Sequence, residues 1–190
     1  MKNAKFLLFI FLIATNYGCS QQKNNNELNF KNSIESSIVS SGNSINSLIK
    51  KIETLLNDGD IDGLSMNEYY NCKTTLIANR AFIIELSEVD DKINLKQKTI
   101  KYLESGEKIL DKFILPLIQH LNKPNQTEIF DAEKLKEGLL LIQASINETS
   151  DLSNSLDAFC VKYKLSRKMS DFDKKNFTQK IEELKSKLKN

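Results

Sequence analysis

The chain has 190 residues, with 27 Lys and Arg against 25 Asp and Glu, no Trp, two Pro and three Cys. So balanced a charge excludes a general nucleic-acid binder, which needs a clustered basic excess. The length allows one domain with a real core, and the sequence holds no CxxC, CxxCH or Cys/His zinc spacing.

Lys2 and Lys5 precede an apolar run from Phe6 to Ala14, followed by Thr15, Asn16, Tyr17, Gly18 and Cys19. A positive start, a short apolar core and a small residue before a cut form the layout of an export signal. The run is about half the 20 apolar residues that a spanning helix needs. The Gly18-Cys19 junction resembles a bacterial lipoprotein signal, in which the cysteine thiol is lipidated and becomes the first residue. Asn16 and Tyr17 depart from that pattern, which prefers Leu and a smaller residue there. The resemblance implies a signal peptide over 1–18, lipidation at Cys19 and attachment to a membrane through the lipid. An ordinary secretory cut after Ser20 is the alternative. Residues 19–27 read as the lipidated cysteine and a polar tether whose Asn, Gln and Ser give it no reason to fold. Residues 28–190 read as one helical domain.

The first helix is expected from Leu28 to Asn57. Phe30, Ile34, Ile38, Ile45, Leu48 and Ile52 recur at helical spacing. The run Asp58-Gly59-Asp60-Ile61-Asp62-Gly63 breaks it. Ser65 and Glu68 form a capping box that starts a second helix at Met66, with an inward stripe of Tyr69, Cys72, Leu76, Asn79, Ile83 and Leu86. Length argues for a break near Ser87, after which Asp90 or Asp91 can cap a third helix, Asp91–Asn122. Pro116 lies within it and should kink it, because it removes a backbone donor and crowds the preceding turn.

A fourth helix is expected from Asp131 to Leu165. Leu135, Leu139, Ile142, Ile146, Thr149, Ser153, Leu156, Cys160 and Tyr163 alternate gaps of four and three, with Thr149 and Ser153 interrupting an otherwise apolar or aromatic series. Ser170 and Asp173 then cap a last helix over 171–189, with Phe177, Ile181, Leu184 and Leu188 on one face and a lysine-rich opposite side. The fold expected is all-α: an antiparallel up-down-up-down four-helix bundle with an additional C-terminal helix. No sustained strand alternation is present.

That topology bears on the cysteines. The second and fourth helices would run the same way, with Cys72 near the start of one and Cys160 near the end of the other, roughly 35 Å apart at 1.5 Å per residue. A disulfide needs Cα atoms within about 7 Å. No disulfide is therefore expected, and both thiols should behave as small buried hydrophobes.

Helix by helix, the mature chain resembles small helical surface lipoproteins of spirochaetes and Bacteroidota. The Gly18-Cys19 signal, the four helix lengths and Phe159-Cys160-Val161-Lys162-Tyr163 carry the resemblance. It implies a lipid-anchored bundle of the cell envelope, at the outer membrane, with no known activity. The chain lacks the acidic run after Cys19 that often marks surface export in Bacteroidota, so periplasmic and surface faces both stay open.

The sharpest local motif is Asp58-x-Asp60-x-Asp62-Gly63, similar to the first half of a calcium-binding EF-hand loop. The closing bidentate Glu belongs at position 12, which is Tyr69; Glu68 falls one residue early and is claimed by the capping box. A weak calcium site at Asp58, Asp60, Asp62 and Glu68 stands against a solvated turn. No cofactor other than this possible Ca²⁺ is implied. The lone histidine, His120, has Leu117 three residues before it, so no Glu-x-x-His di-iron pair exists. No G-x-S-x-G elbow accompanies it, so no catalytic residues are assigned. Asn79 and Arg80 could line a pocket, or Asn79 could set helix register. The function expected is a non-enzymatic envelope module with a protein partner; the alternative is a small-ligand or calcium-binding bundle using the Asp58–Glu68 loop.

Overall fold

The computed structural model describes residues 2–58, 66–122 and 130–167, with side chains in the first helix over 25–52 and at 54. Among the described residues the chain is all-helical and has no strand. The elements are α1 (Lys2–Asp58), α2 (Met66–Glu85), α3 (Leu95–Ile109), a π-helical turn (Leu110–Ile114), α4 (Leu115–Leu121) and α5 (Ala132–Tyr163). The helix expected over 171–189 lies outside the described residues.

α1 takes in Ser20 to Glu27, the stretch expected as an unstructured tether. No Gly or Pro interrupts the chain between Cys19 and Ser41. Extending an existing helix costs far less than nucleating one, so residues of middling propensity are carried along by the packed part of α1. Glu27 is already buried there.

The third helix begins at Leu95 rather than Asp91 because Asp90 is spent on the loop. Its Oδ1 accepts from the backbone N–H of Lys92 at 3.1 Å and of Ile93 at 3.4 Å, and its carbonyl accepts from Asn94 N–H at 2.8 Å. Asn94 then adopts φ 56°, a left-handed conformation that Asn tolerates better than most residues. The kink expected at Pro116 takes the form of the π-helical turn just before it. Proline has no N–H for the carbonyl four residues back and its ring crowds that turn; a wider turn accommodates both.

Asp131 caps α5 by accepting from Glu133 N–H at 2.8 Å and Lys134 N–H at 3.4 Å. The helix ends with Lys164 at φ 55°, Leu165 N–H bonding Cys160 C=O at 2.9 Å and Lys164 N–H bonding Val161 C=O at 3.3 Å. That pattern is a Schellman close without its usual glycine.

Cross-helix bonds fix which parts meet. Asn79 of α2 reaches Ser41 and Ser37 of α1, while Lys51 near the end of α1 pairs with Glu68 at the start of α2. Arg80 and Lys73 of α2 pair with Glu107 of α3 and Asp111 of the π turn respectively. Lys98 of α3 approaches Asp151 and Ser155 of α5, and Lys112 approaches Glu137. Phe30 of α1 packs on Phe159 of α5 with ring centroids 5.6 Å apart.

Among the described residues the buried side chains form two clusters. One gathers Leu48, Ile52, Tyr69, Leu76, Phe113 and Ile118 with their neighbours, and the other gathers Phe30, Ile34, Ile83, Leu103, Leu156 and Phe159 with theirs. Asn79 and its serine partners lie between them along α1 and α2. Thr149, which interrupts the α5 stripe, turns its hydroxyl onto Ser145 C=O at 2.8 Å, the local bond by which a mid-helix threonine is satisfied.

Candidate functional site

The residues singled out by motif are described only in part. Asp58 ends α1, and residues 59–65, with Asp60 and Asp62, lie outside the described residues. Glu68 accepts a hydrogen bond from Lys51 Nζ, so its charge is already met by a cation. Among the described residues no cluster of His, Cys, Asp and Glu could hold a metal ion. His120 sits half-buried in the last turn of α4, edge-on to Phe130 with centroids 5.4 Å apart. Cys19 falls within the helical backbone of α1. Among the described residues no helix is long and apolar enough to cross a membrane.

Cys72 and Cys160 are free and buried, one in each cluster. Burial pushes both thiols above their ordinary range, which makes them poor nucleophiles at neutral pH. Asn79 donates to Ser41 Oγ at 2.8 Å and to Ser37 C=O at 3.3 Å. One amide placed between two apolar clusters ties the register of α1 against α2, since a slip would bury it unpaired. Arg80 makes a forked contact to Glu107 at 2.6 and 3.2 Å and so holds α2 on α3.

Asp90 joins three parts of the fold. Besides its loop bonds, its Oδ2 accepts from Lys162 Nζ and from Tyr163 hydroxyl, the latter at 3.1 Å. The Lys162 hydrogen bond leads the causes that hold its carboxyl below the usual carboxylate range. The cluster pins the end of α5 to the turn between α2 and α3.

An apolar cleft of about 60 Å³ lies between the second half of α1, the π turn and the first half of α5, lined by Ile45, Ile49, Phe113 and Ile142 among others. Small-ligand pockets are commonly about 300–1,000 Å³, so this one is a packing gap in its present form. Tyr102 stands at its edge. The ring keeps some exposed surface but is surrounded by protein, and desolvation pushes its phenol up to about 12.

Sequence reasoning missed the outer face of α2. Tyr70, Ile77, Phe82 and Ile84 are 55%, 41%, 50% and 43% exposed. Tyr70, Thr74, Ile77, Ala81 and Ile84 succeed one another at gaps of four and three, a second seam beside the inward one. That spacing was readable, but the first stripe had already accounted for the helix. The two cations within the span, Lys73 and Arg80, both pair away from it, with Asp111 and Glu107. The exposed face is therefore uncharged over about four turns.

No protein-family model, curated protein or solved structure matches the chain.

Proposed function

We propose that the chain is a lipid-anchored, non-enzymatic helical bundle of the bacterial cell envelope, attached at the outer membrane and working as a protein-binding or scaffolding module. The signal-like Met1–Cys19 stretch supports the anchor. Reversed pairings along α1–α2, α2–α3, α3–α5 and α1–α5 support an up-down-up-down order. The observation that carries the binding role is the outer face of α2. Tyr70, Ile77 and Ile84 lie exposed along one side of the helix, and a contiguous exposed apolar patch marks a contact site. Tyr70 suits such a role, since Tyr is enriched at interface centres.

The test has two arms. Full-length protein made in a lipoprotein-processing bacterium is expected in the membrane fraction, with a diacylglyceryl mass on Cys19; Cys19→Ala should move to the soluble envelope fraction. A membrane-bound Cys19→Ala protein would remove the anchor. A photo-crosslinker at Ile77 should give a discrete adduct in the living envelope, lost in Tyr70→Lys/Ile84→Lys, while one at exposed Lys101 gives none. Equal labelling from both positions would sink the binding role.

A further inference from the structure

α1 runs unbroken from Lys2 through Cys19 to Asp58. Among the residues of α1 whose side chains are described, Glu27 is the first that is buried. The helical steps from Cys19 to Glu27 cover about 12 Å at 1.5 Å per residue. The same steps as an extended tether would reach about 26–29 Å and would set no direction. A helix sets one. A group attached at Cys19 therefore lies close to one end of the bundle, on the line of α1.

A chain of contacts identifies that end. Phe30 packs on Phe159 with ring centroids 5.6 Å apart, and Phe159 packs on Tyr163 with centroids 4.6 Å apart. The Tyr163 hydroxyl donates to Asp90 at 3.1 Å, and Lys31 Nζ donates to Ser166 C=O at 2.6 Å. The turn between α2 and α3 and the close of α5 thus gather beside the start of packed α1. Asp58, Met66 and Ala132 lie at the other end of their helices, about 46 Å further along α1.

The close of α5 has the chemistry of a headgroup contact. Val161 is 80% exposed and Lys164 is exposed. From Ala158 to Arg167 the chain carries Lys162, Lys164 and Arg167 and no acid. In the neighbouring turn, Glu88 accepts from the backbone N–H groups of Val89, Asp90 and Lys96, and Asp90 is bonded to Lys162 and Tyr163, while Glu85 and Asp91 stay exposed. We propose that the bundle stands on the membrane with this end, the close of α5 meeting the lipid headgroups through Val161 and Lys164 while α1 acts as a short stem. The inference rests on the lipid anchor at Cys19 proposed above. A lysine keeps its charge among headgroups while its stem and a neighbouring apolar side chain lie against the lipid. Anionic headgroups attract a cation only within a Debye length, about 8 Å. A leaning stem of about 12 Å brings Lys164 into that range, whereas a free tether would not hold it there. The exposed face of α2 runs along the bundle and so points sideways, clear of the lipid.

Full-length protein processed in a lipoprotein-maturing bacterium, reconstituted into phosphatidylethanolamine and phosphatidylglycerol vesicles, tests this. A fluorophore is placed through Ser87→Cys or Lys134→Cys, both exposed positions, while buried Cys72 and Cys160 stay unlabelled. Lys134 lies about 45 Å along α5 from Lys164, so a quencher fixed to the headgroups should dim the label at Ser87 at least about threefold more than the label at Lys134. Val161→Asp/Lys164→Glu should remove most of that difference without releasing the protein. Equal quenching at the two positions, or stronger quenching at Lys134, in protein that carries the diacylglyceryl mass on Cys19 would overturn the orientation and leave the anchor standing. An unchanged difference in the double variant would refute the contact through Val161 and Lys164. Absence of the lipid mass would defeat the anchor and the orientation together.

Discussion

The ring of Phe113 occupies the space that a side chain at Gly138 would need. A Cβ built on Gly138 runs into three of the ring's carbons, and Phe113 is itself buried in the π turn. Gly138 thus lets α5 approach the widened turn. Gly106 plays a milder part against Leu76, whose Cδ2 would lie 2.6 Å from an added Cβ, and that methyl ends a flexible side chain. Gly42 has open space around it. Alanine at the three positions should therefore give three outcomes in urea denaturation. Gly42→Ala gains up to about 1 kcal/mol from helix propensity. Gly106→Ala stays close to neutral. Gly138→Ala loses about 1–3 kcal/mol through overpacking. A stabilising Gly138→Ala would show that α5 has room to spare against the π turn.

Asp90 should set part of the acid limb of stability. Its folded carboxyl titrates below its unfolded value of about 3.9, chiefly because Lys162 bonds to it. A depressed carboxylate contributes stability that is present above the unfolded value and is lost as pH falls through the folded one. Stability measured by chemical denaturation should fall below about pH 4 in the wild type and fall less steeply in Asp90→Asn. At pH 7, Asp90→Ala should cost about 1–3 kcal/mol, because Lys92 N–H and the Tyr163 hydroxyl lose their acceptor. Identical acid limbs in wild type and Asp90→Asn would contradict the assignment.

Tyr102 governs the other limb. Its phenol is raised to about 12 by burial, above an unfolded value of about 10. A group whose folded value is raised contributes stability that is present below the unfolded value and is lost as pH rises through the folded one. Tyr102→Phe should match the wild type at pH 7 and lose stability less steeply between about pH 10 and 12. The ultraviolet phenolate signal of the native protein should also gain a late component that Tyr102→Phe lacks. A variant with an unchanged alkaline limb would place Tyr102 in contact with water.

The inward faces were legible because apolar spacing reports directly on burial. Tyr69, Cys72, Leu76 and Ile83 are buried as their stripe requires, and α5 starts beside Asp131, where the fourth helix is expected to begin. Contacts between distant residues were not legible. Asp90 reads as a helix cap, and nothing local says that Lys162 and Tyr163 come to it from far along the chain. The Asp58–Asp62 motif was the loudest chemical signal and falls largely outside the described residues, while Glu68 beside it is met by Lys51. The outer seam of α2 was visible as spacing but looked redundant beside the inner one. Lys31 and Glu35 read as an ordinary exposed pair four residues apart, a common arrangement on a helix surface that contributes little.

That pair gives the sharpest stability test. Lys31 Nζ lies 3.2 Å from Glu35 Oε2, and the two side chains are 1% and 4% exposed. The same ammonium donates to Ser166 C=O at 2.6 Å. An exposed pair would be worth about 0–1 kcal/mol. For a buried one, removal of a single partner costs about 3–5 kcal/mol, whereas replacing both by apolar residues of similar volume is often neutral or stabilising. Lys31→Met alone should therefore be strongly destabilising, because it strips a cation from a buried carboxylate and a donor from Ser166. Lys31→Met/Glu35→Leu should recover most of the loss. The double-mutant cycle in urea reads the difference, and a Lys31→Met cost below about 1 kcal/mol would return the pair to the surface.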